Sequence, residues 1–311
     1  MSPLHFLDRH NMWIIICILL FAAALLAVGL YLALQVVRPK CYSVEETYRT
    51  EIETGRMDEA EWLSWERQEV WIRSPLGYDL FGIYLPLAGS KKIVVIAHGI
   101  TYTLFGSVKY VNIFRRRGFN VLLYDHRNHG RSGGRWSTFG WYEKHDLTAW
   151  LAWAKHTTGD DGQVGVMGES FGAATAIQCL AMTPGASFLI CDCCFSDLTD
   201  LLTYHMRLDY RLPAFPLLPI ASLWSKALTG MKFADISPVR DVGRITIPCL
   251  FTHGRDDQFT PVRMSEALYD AKVHGMRELY IVSHADHAEA YFRDPQAYET
   301  KVAEFLERIG F

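Results

Sequence analysis

The chain has 311 residues; half are hydrophobic, 21% are charged, and 31 basic against 34 acidic side chains give a formal net charge of -3. This composition excludes disordered and fibrous classes, and the near-balance of charge excludes a dedicated nucleic-acid binder. The length fits one large α/β domain or two average ones.

Residues 1–11 read as a short tail. Residues 12–37 then run without a charged side chain, with Gln35 as the one strongly polar member. As a helix this stretch is about 39 Å long against a hydrocarbon core of about 30 Å, so it can span a bilayer with tilt. A cleaved signal peptide is the competing reading, but its apolar region is only about 7–15 residues long. A buried core helix is disfavoured because the segment is apolar on every face. Arg9 precedes the span, whereas Arg38, Lys40 and Arg49 follow it, so the positive-inside bias places the C-terminal body in the cytoplasm. Seven cysteines, most within apolar strand or helix patterns, fit a reducing compartment. Residues 38–67 are an acidic linker carrying Trp62 and Trp65; an amphipathic helix packed on the body is favoured over a partner-binding stalk.

From residue 68 to the end, strands alternate with helices. Strands are expected at 70–73, 78–85, 92–98, 119–125, 163–169, 187–192, 247–253 and 278–283. Helices are expected at 107–117, 141–156, 171–182, 261–273 and 295–309. The alternation predicts right-handed crossovers and a mostly parallel sheet with helices on both faces. Residues 195–245 are too long for an ordinary crossover and contain the run Leu212-Pro213-Ala214-Phe215-Pro216-Leu217-Leu218-Pro219-Ile220. They are read as an inserted helical cap above the C-terminal edge of the sheet.

Gly168-Glu169-Ser170-Phe171-Gly172 is a G-x-S-x-G sequence between a buried strand and a helix, the setting in which a serine hydroxyl is lifted clear of a sheet. A serine needs a base. His287 is the first choice and His284 the second, both following the last strand. An H-x-x-H zinc site is disfavoured because the glutamate of H-E-x-x-H is missing. The base needs a carboxylate: Asp257 is preferred, Asp256 is its neighbour, and Asp192 is a possible substitute more simply read as bonding loop backbone. Backbone N–H groups of Ile100 and Phe171 are the expected oxyanion donors, with His98 orienting the first of these loops. Cys191-Asp192-Cys193-Cys194 is read as small core residues rather than a metal site. With no G-x-G-x-x-G or Walker loop, no nucleotide cofactor is implied, and the chemistry as read needs neither cofactor nor metal.

The order serine, aspartate, histidine on this scaffold resembles the α/β-hydrolase superfamily. The loop Asp125-His126-Arg127-Asn128-His129-Gly130-Arg131-Ser132-Gly133-Gly134 is similar to that of serine-aminopeptidase-like and monoacylglycerol-lipase-like members, with Asn128 where glycine is usual. His253-Gly254 through Asp257 to Pro261 strengthens the resemblance to the superfamily, and the ending around His287 resembles small membrane-anchored bacterial members. Glu169 and Phe171 stand where G-H-S-M-G is common. The resemblance covers about residues 68–311 and implies Asp257 as the triad acid and His287 as the base. The expected function is a membrane-anchored serine hydrolase acting on a small ester or acyl substrate. A peptidase, thioesterase or acyltransferase would use the same residues. A non-catalytic, membrane-tethered binding protein on the same fold is the alternative from another class.

Overall fold

The computed structural model describes residues 3–311, with side chains from Asn11 onward. Eight strands form one sheet: β1 Gln68–Arg73, β2 Asp79–Leu85, β3 Lys92–Ala97, β4 Phe119–Tyr124, β5 Gln163–Glu169, β6 Phe188–Asp192, β7 Cys249–Gly254 and β8 Arg277–Val282. Their order is β1-β2-β4-β3-β5-β6-β7-β8. β1 and β2 pair antiparallel, and β2 pairs antiparallel with β4; β4 through β8 are parallel. The inner strands are buried on both faces, which explains their continuous apolar sequences. Val95, Leu122 and Val166 enter one core with Trp150 and Ile177; Val94, Val121 and Met167 enter the other with Tyr298 and Phe305.

The strand order reverses at β3 and β5. From β3 the chain proceeds to β4 on one side, and from β5 to β6 on the other. The loops leaving these two strands therefore diverge, opening a crevice at their carboxyl ends, where α/β sheets bind ligands.

Among the described residues, twelve α-helices accompany the strands. α1 is Pro3–Val37, α2 Val44–Glu53, α3 Glu59–Ser64, α4 Val111–Arg115, α5 Glu143–Thr158 and α6 Phe171–Met182. α7 Leu198–Leu208 and α8 Leu217–Thr229 lie in the insertion; α9 Pro238–Asp241, α10 Arg263–Ala271, α11 Ala290–Arg293 and α12 Pro295–Arg308 follow.

α1 starts well before residue 12, so the expected tail is largely helical; its residues 1 and 2 lie outside the described residues. Pro3 suits a first helical turn, where its missing N–H costs nothing. Asn11–Val37 is long and apolar enough to cross a membrane, with mean hydropathy 2.9. Its N-terminal part is exposed, while Leu32, Ala33 and Val37 are buried against the body. Gly29 allows the close approach to α8: a Cβ there would lie 2.3 Å from Cγ2 of Ile220. The Trp224 indole N–H donates to the Leu26 carbonyl at 3.0 Å. The Ser137 N–H donates to the Val37 carbonyl at 3.0 Å, and the Tyr42 N–H to the Thr101 carbonyl at 2.8 Å.

Residues 38–67 form two helices rather than one. Ser43 and Glu46 cap α2 reciprocally at 3.1 and 2.8 Å, and Gly55, at φ +69°, ends it. Trp62 of α3 is buried edge-on against Phe105, ring centroids 5.4 Å apart. The helix expected at 107–117 is split into a 3-10 segment, Leu104–Tyr110, and α4. The Asp125 carboxylate accepts the Leu104 N–H at 2.8 Å, fixing the start of this segment three residues earlier than apolar spacing alone implied. The insertion places α7 over the strand ends: the Tyr204 hydroxyl donates to the Gln258 carbonyl at 3.1 Å, and His205 Nε2 lies 2.9 Å from the Phe259 carbonyl.

Candidate active site

Ser170 occupies the turn between β5 and α6 with φ 51° and ψ -110°, a strained conformation for a residue with a Cβ. The glycines on either side leave no room for a side chain. A Cβ on Gly168 would fall 2.5 Å from the Ala173 nitrogen, and one on Gly172 would fall 2.1 Å from the Ala97 oxygen. The turn thus packs directly on β3 and presents the hydroxyl at the crevice.

His287 Nε2 lies 3.1 Å from Ser170 Oγ, and His287 Nδ1 lies 2.7 Å from Asp257 Oδ2. A carboxylate can only accept, so Nδ1 carries the proton and Nε2 keeps a lone pair toward the serine. Asp257 is held as an anion by a built setting. Its Oδ1 accepts the N–H groups of Phe259 at 2.8 Å and Thr260 at 2.7 Å. His253 Nε2 stands 3.1 Å from Oδ2, with its Nδ1 accepting from the Ser265 hydroxyl at 2.6 Å. Burial opposes the charge, but hydrogen bonds from His253 and His287 outweigh it and hold the carboxyl down to about 2.

The other sequence candidates fall elsewhere. His284 and Asp256 are exposed and pair with each other at 3.6 Å. Asp192 is buried at the end of β6, but its Oδ2 faces the hydroxyls of Tyr110 at 2.7 Å and Tyr298 at 3.3 Å, not His287. The loop-backbone role expected for its side chain is thus replaced by tyrosine contacts, because two aromatic side chains from opposite elements converge on it. Cys191, Cys193 and Cys194 are buried, and Cys193 Sγ lies 4.0 Å from His287 Nε2.

Ile100 lines the same cavity as Ser170 and His287, a space of about 250 Å³. Among the described residues, the backbone N–H groups of Ile100 and Phe171 donate to no acceptor. The loop bearing Ile100 is held by two neutral histidines. His98 Nδ1–H donates to the Gly99 carbonyl at 2.7 Å, while its Nε2 accepts the His126 N–H at 3.0 Å. Burial pushes His98 down to about 3. His129 Nδ1–H donates to the Arg127 carbonyl at 2.8 Å, and its Nε2 accepts the Thr101 N–H at 3.2 Å. Asn128 sits at φ 61°, which explains why asparagine, tolerant of the left-handed region, can replace glycine there. Gly130 is indispensable by contrast, since its Cβ would lie 2.1 Å from Asp125 Oδ2.

A charged wall escaped the sequence reading. Lys109 Nζ pairs with Glu169 Oε2 at 2.6 Å, both side chains nearly buried. The Tyr110 hydroxyl lies 2.7 Å from both Glu169 Oε2 and Asp192 Oδ2, and its one hydrogen serves one of them at a time. Glu51 of α2 lines the cavity, is buried, and has Oε2 unpartnered. Burial raises its carboxyl to about 7. The glutamate inside G-x-S-x-G was the available signal for Lys109. Glu51, one acid among many in the linker, gave none.

The family model described as X-Pro dipeptidyl-peptidase (S15 family) matches residues 37–213, more than half of the chain. The chain belongs to that family. It is 35% identical to the uncharacterized protein YqkD of Bacillus subtilis over 96% of this chain and 98% of that one. It is 23% identical to the uncharacterized protein YfhR of Escherichia coli over 78% of this chain and 81% of that one. Among solved structures it is similar to the Pyrococcus furiosus esterase Pf2001, with 27% identity, a TM-score of 0.67, and 81% and 94% of the two chains covered. The fold is therefore the α/β-hydrolase fold, and the protein is a member of a hydrolase family. The matched segment includes Ser170 and ends before Asp257 and His287.

Proposed function

We propose that this protein is a serine esterase anchored in a membrane by α1, with its body on the cytoplasmic side. The division adopted is an anchor at 12–37, a linker at 38–67 and a hydrolase domain at 68–311 with a cap at about 195–245. Ser170 attacks the carbonyl carbon while His287 Nε2 takes its proton and Asp257 stabilises the imidazolium. The tetrahedral oxyanion is received by the N–H groups of Ile100 and Phe171, each such donor contributing about 3–4 kcal/mol to the transition state. His287 then protonates the departing alkoxide; in the second half-reaction His287 takes a proton from water as it attacks the acyl carbon and returns that proton to Ser170 Oγ as the acid departs.

The observation that carries this reading is the chain of contacts from Ser170 Oγ to His287 at 3.1 Å and from His287 to Asp257 at 2.7 Å. The esterase name of a structural relative favours an ester as substrate. The serine-aminopeptidase-like and monoacylglycerol-lipase-like resemblance is consistent with the same assignment. Because the family model is described by a dipeptidyl-peptidase, cleavage of a prolyl amide is the second reading.

The test uses the full chain in detergent with a fluorophosphonate probe, p-nitrophenyl butyrate and alanyl-prolyl-p-nitroanilide. Labelling and ester turnover are expected in the wild type and in Ser132→Ala, and both are absent in Ser170→Ala. Faster turnover of the anilide than of the ester favours the peptidase. A folded wild type that neither labels nor turns over either compound sinks the enzymatic reading.

A further inference from the structure

The cavity around Ser170 does not end at the charged wall. Across Ile100, Thr101 and Phe259 it adjoins a second cavity of about 290 Å³, and all three residues line both spaces. Phe259 forms the partition: its ring lies 4.8 Å from the His287 ring on one side and 4.8 Å from the His205 ring on the other.

This second cavity is mostly apolar, with Gln35, Thr101, His205 and Asp209 as its polar members, and it has an unusual wall. α1 contributes Leu32 and Val36, α7 contributes Leu202 and Met206, and α8 contributes Leu218. The helix long and apolar enough to cross a membrane is thus one side of a chamber that opens beside the nucleophile. The contacts of Gly29 and Leu26 with α8 fix that wall in place. Just before these contacts, α1 is exposed and apolar through Leu19, Leu20 and Phe21; on the cap, Phe215 and Leu223 are also exposed. The chamber therefore lies where a helix entering hydrocarbon meets a cap with apolar side chains turned outward.

Resting on the esterase reading above, we propose that this chamber binds the hydrocarbon chain of an acyl ester supplied by the bilayer, and that the anchor helix is a wall of the substrate site. The chain enters between α1 and the cap, and its carboxyl carbon reaches Ser170 past Phe259. The polar alcohol faces the side bearing Glu51, Arg56 and Lys109. The division follows from solvation: methylenes gain by leaving water, whereas the charged groups penalise an aliphatic chain beside them.

The experiment compares kcat/KM for p-nitrophenyl esters from acetate to dodecanoate on the full chain in detergent. The ratio of dodecanoate to acetate cancels any loss common to the chemical step. In the wild type kcat/KM rises by up to about fourfold per methylene until the chamber is filled, so the ratio far exceeds one. Val36→Trp and, independently, Met206→Trp fill the chamber and are expected to lower the ratio at least tenfold. Leu19→Trp, on the exposed part of α1, leaves it unchanged. An unaltered ratio in both filling variants, with acetate still hydrolysed, overturns the site, as does a wild type that shows no chain-length preference. Failure to hydrolyse any ester instead overturns the esterase reading itself. For the source, the full chain in phosphatidylcholine vesicles is expected to release dodecanoate from monododecanoylglycerol. Hydrolysis of detergent-dispersed esters without any release from the vesicles overturns supply from the bilayer.

Discussion

On one side of Ser170 the wall is built of charges taken out of water: Lys109 against Glu169, with Glu51 behind them. On the other side it is built mostly of apolar side chains, from α1, α7 and α8 together with Ile100, Phe139 and Phe259. The first wall is expensive to bury and rigid once paired, because each ion depends on its partner. The second is inexpensive to bury, and its shape depends on how closely two helices approach. In the reading proposed above, a site flanked in this way orients an amphiphilic molecule before any chemistry begins, the charged wall acting on electrostatics and pH response and the apolar wall on shape and chain length.

The largest effect expected is at the point where the walls meet. Asp257→Asn removes the acceptor that sets the His287 tautomer and lowers kcat by about 10⁴-fold. Asp192→Asn, facing tyrosines instead, lowers it by less than about tenfold by the same reasoning. Steady-state ester kinetics on the two variants decide this, and the opposite ranking means that the acid has been misassigned.

Next comes the charged wall itself. Lys109→Met leaves Glu169 buried without its cation and is expected to cost about 3–5 kcal/mol. Adding Glu169→Gln should recover part of that loss, so denaturation midpoints of the two single variants and the double variant should reveal coupling. Additive losses would show that the pair does not act as a unit.

Glu51 gives the charged wall a pH signature. Its folded-state carboxyl is raised by burial from the ordinary glutamate range near 4.5 to about 7. The folded protein therefore binds the proton more tightly than the unfolded chain. Stability falls as pH climbs from about 4.5 through 7, by roughly 3 kcal/mol from this group alone. Glu51→Gln should flatten the decline in thermal midpoint between pH 5 and pH 8.5; an equally steep decline in the variant assigns the effect to other groups. The smallest effect belongs to the apolar wall. Trp224→Phe keeps the bulk but loses the bond to the Leu26 carbonyl, costing about 1 kcal/mol in the same measurement.

The two walls also differ in how well they could be read from sequence. The strand 163–169 and the helix 171–182 were expected with the bounds found, because a buried apolar run, two close-packed glycines and a helix start all agree there. Ser170 was singled out for the same reason, whereas Asp257 and His287 were preferred by their places after strands and by the family resemblance; the structure brings the three within hydrogen-bonding distance. The docking of α1 on α8 left no mark in the sequence. A helix apolar on every face reads alike whether lipid or protein covers it. Glu51 was hidden by the opposite ambiguity, since an acid among acids reads as a solvated face until a fold buries it. Asp192 shows a third kind of failure. Its place at a strand end was plain, but the tyrosines that claim it come from residues 110 and 298, far away in the chain.

The bond from the Tyr42 N–H to the Thr101 carbonyl, only a few residues beyond the end of α1, has a mechanical meaning. Together with the seam along α8, it leaves almost no slack between α1 and the loop that carries Ile100. In the membrane-anchored arrangement proposed above, the body is not tethered on a leash but held at a set elevation and tilt, as a tool clamped to its handle.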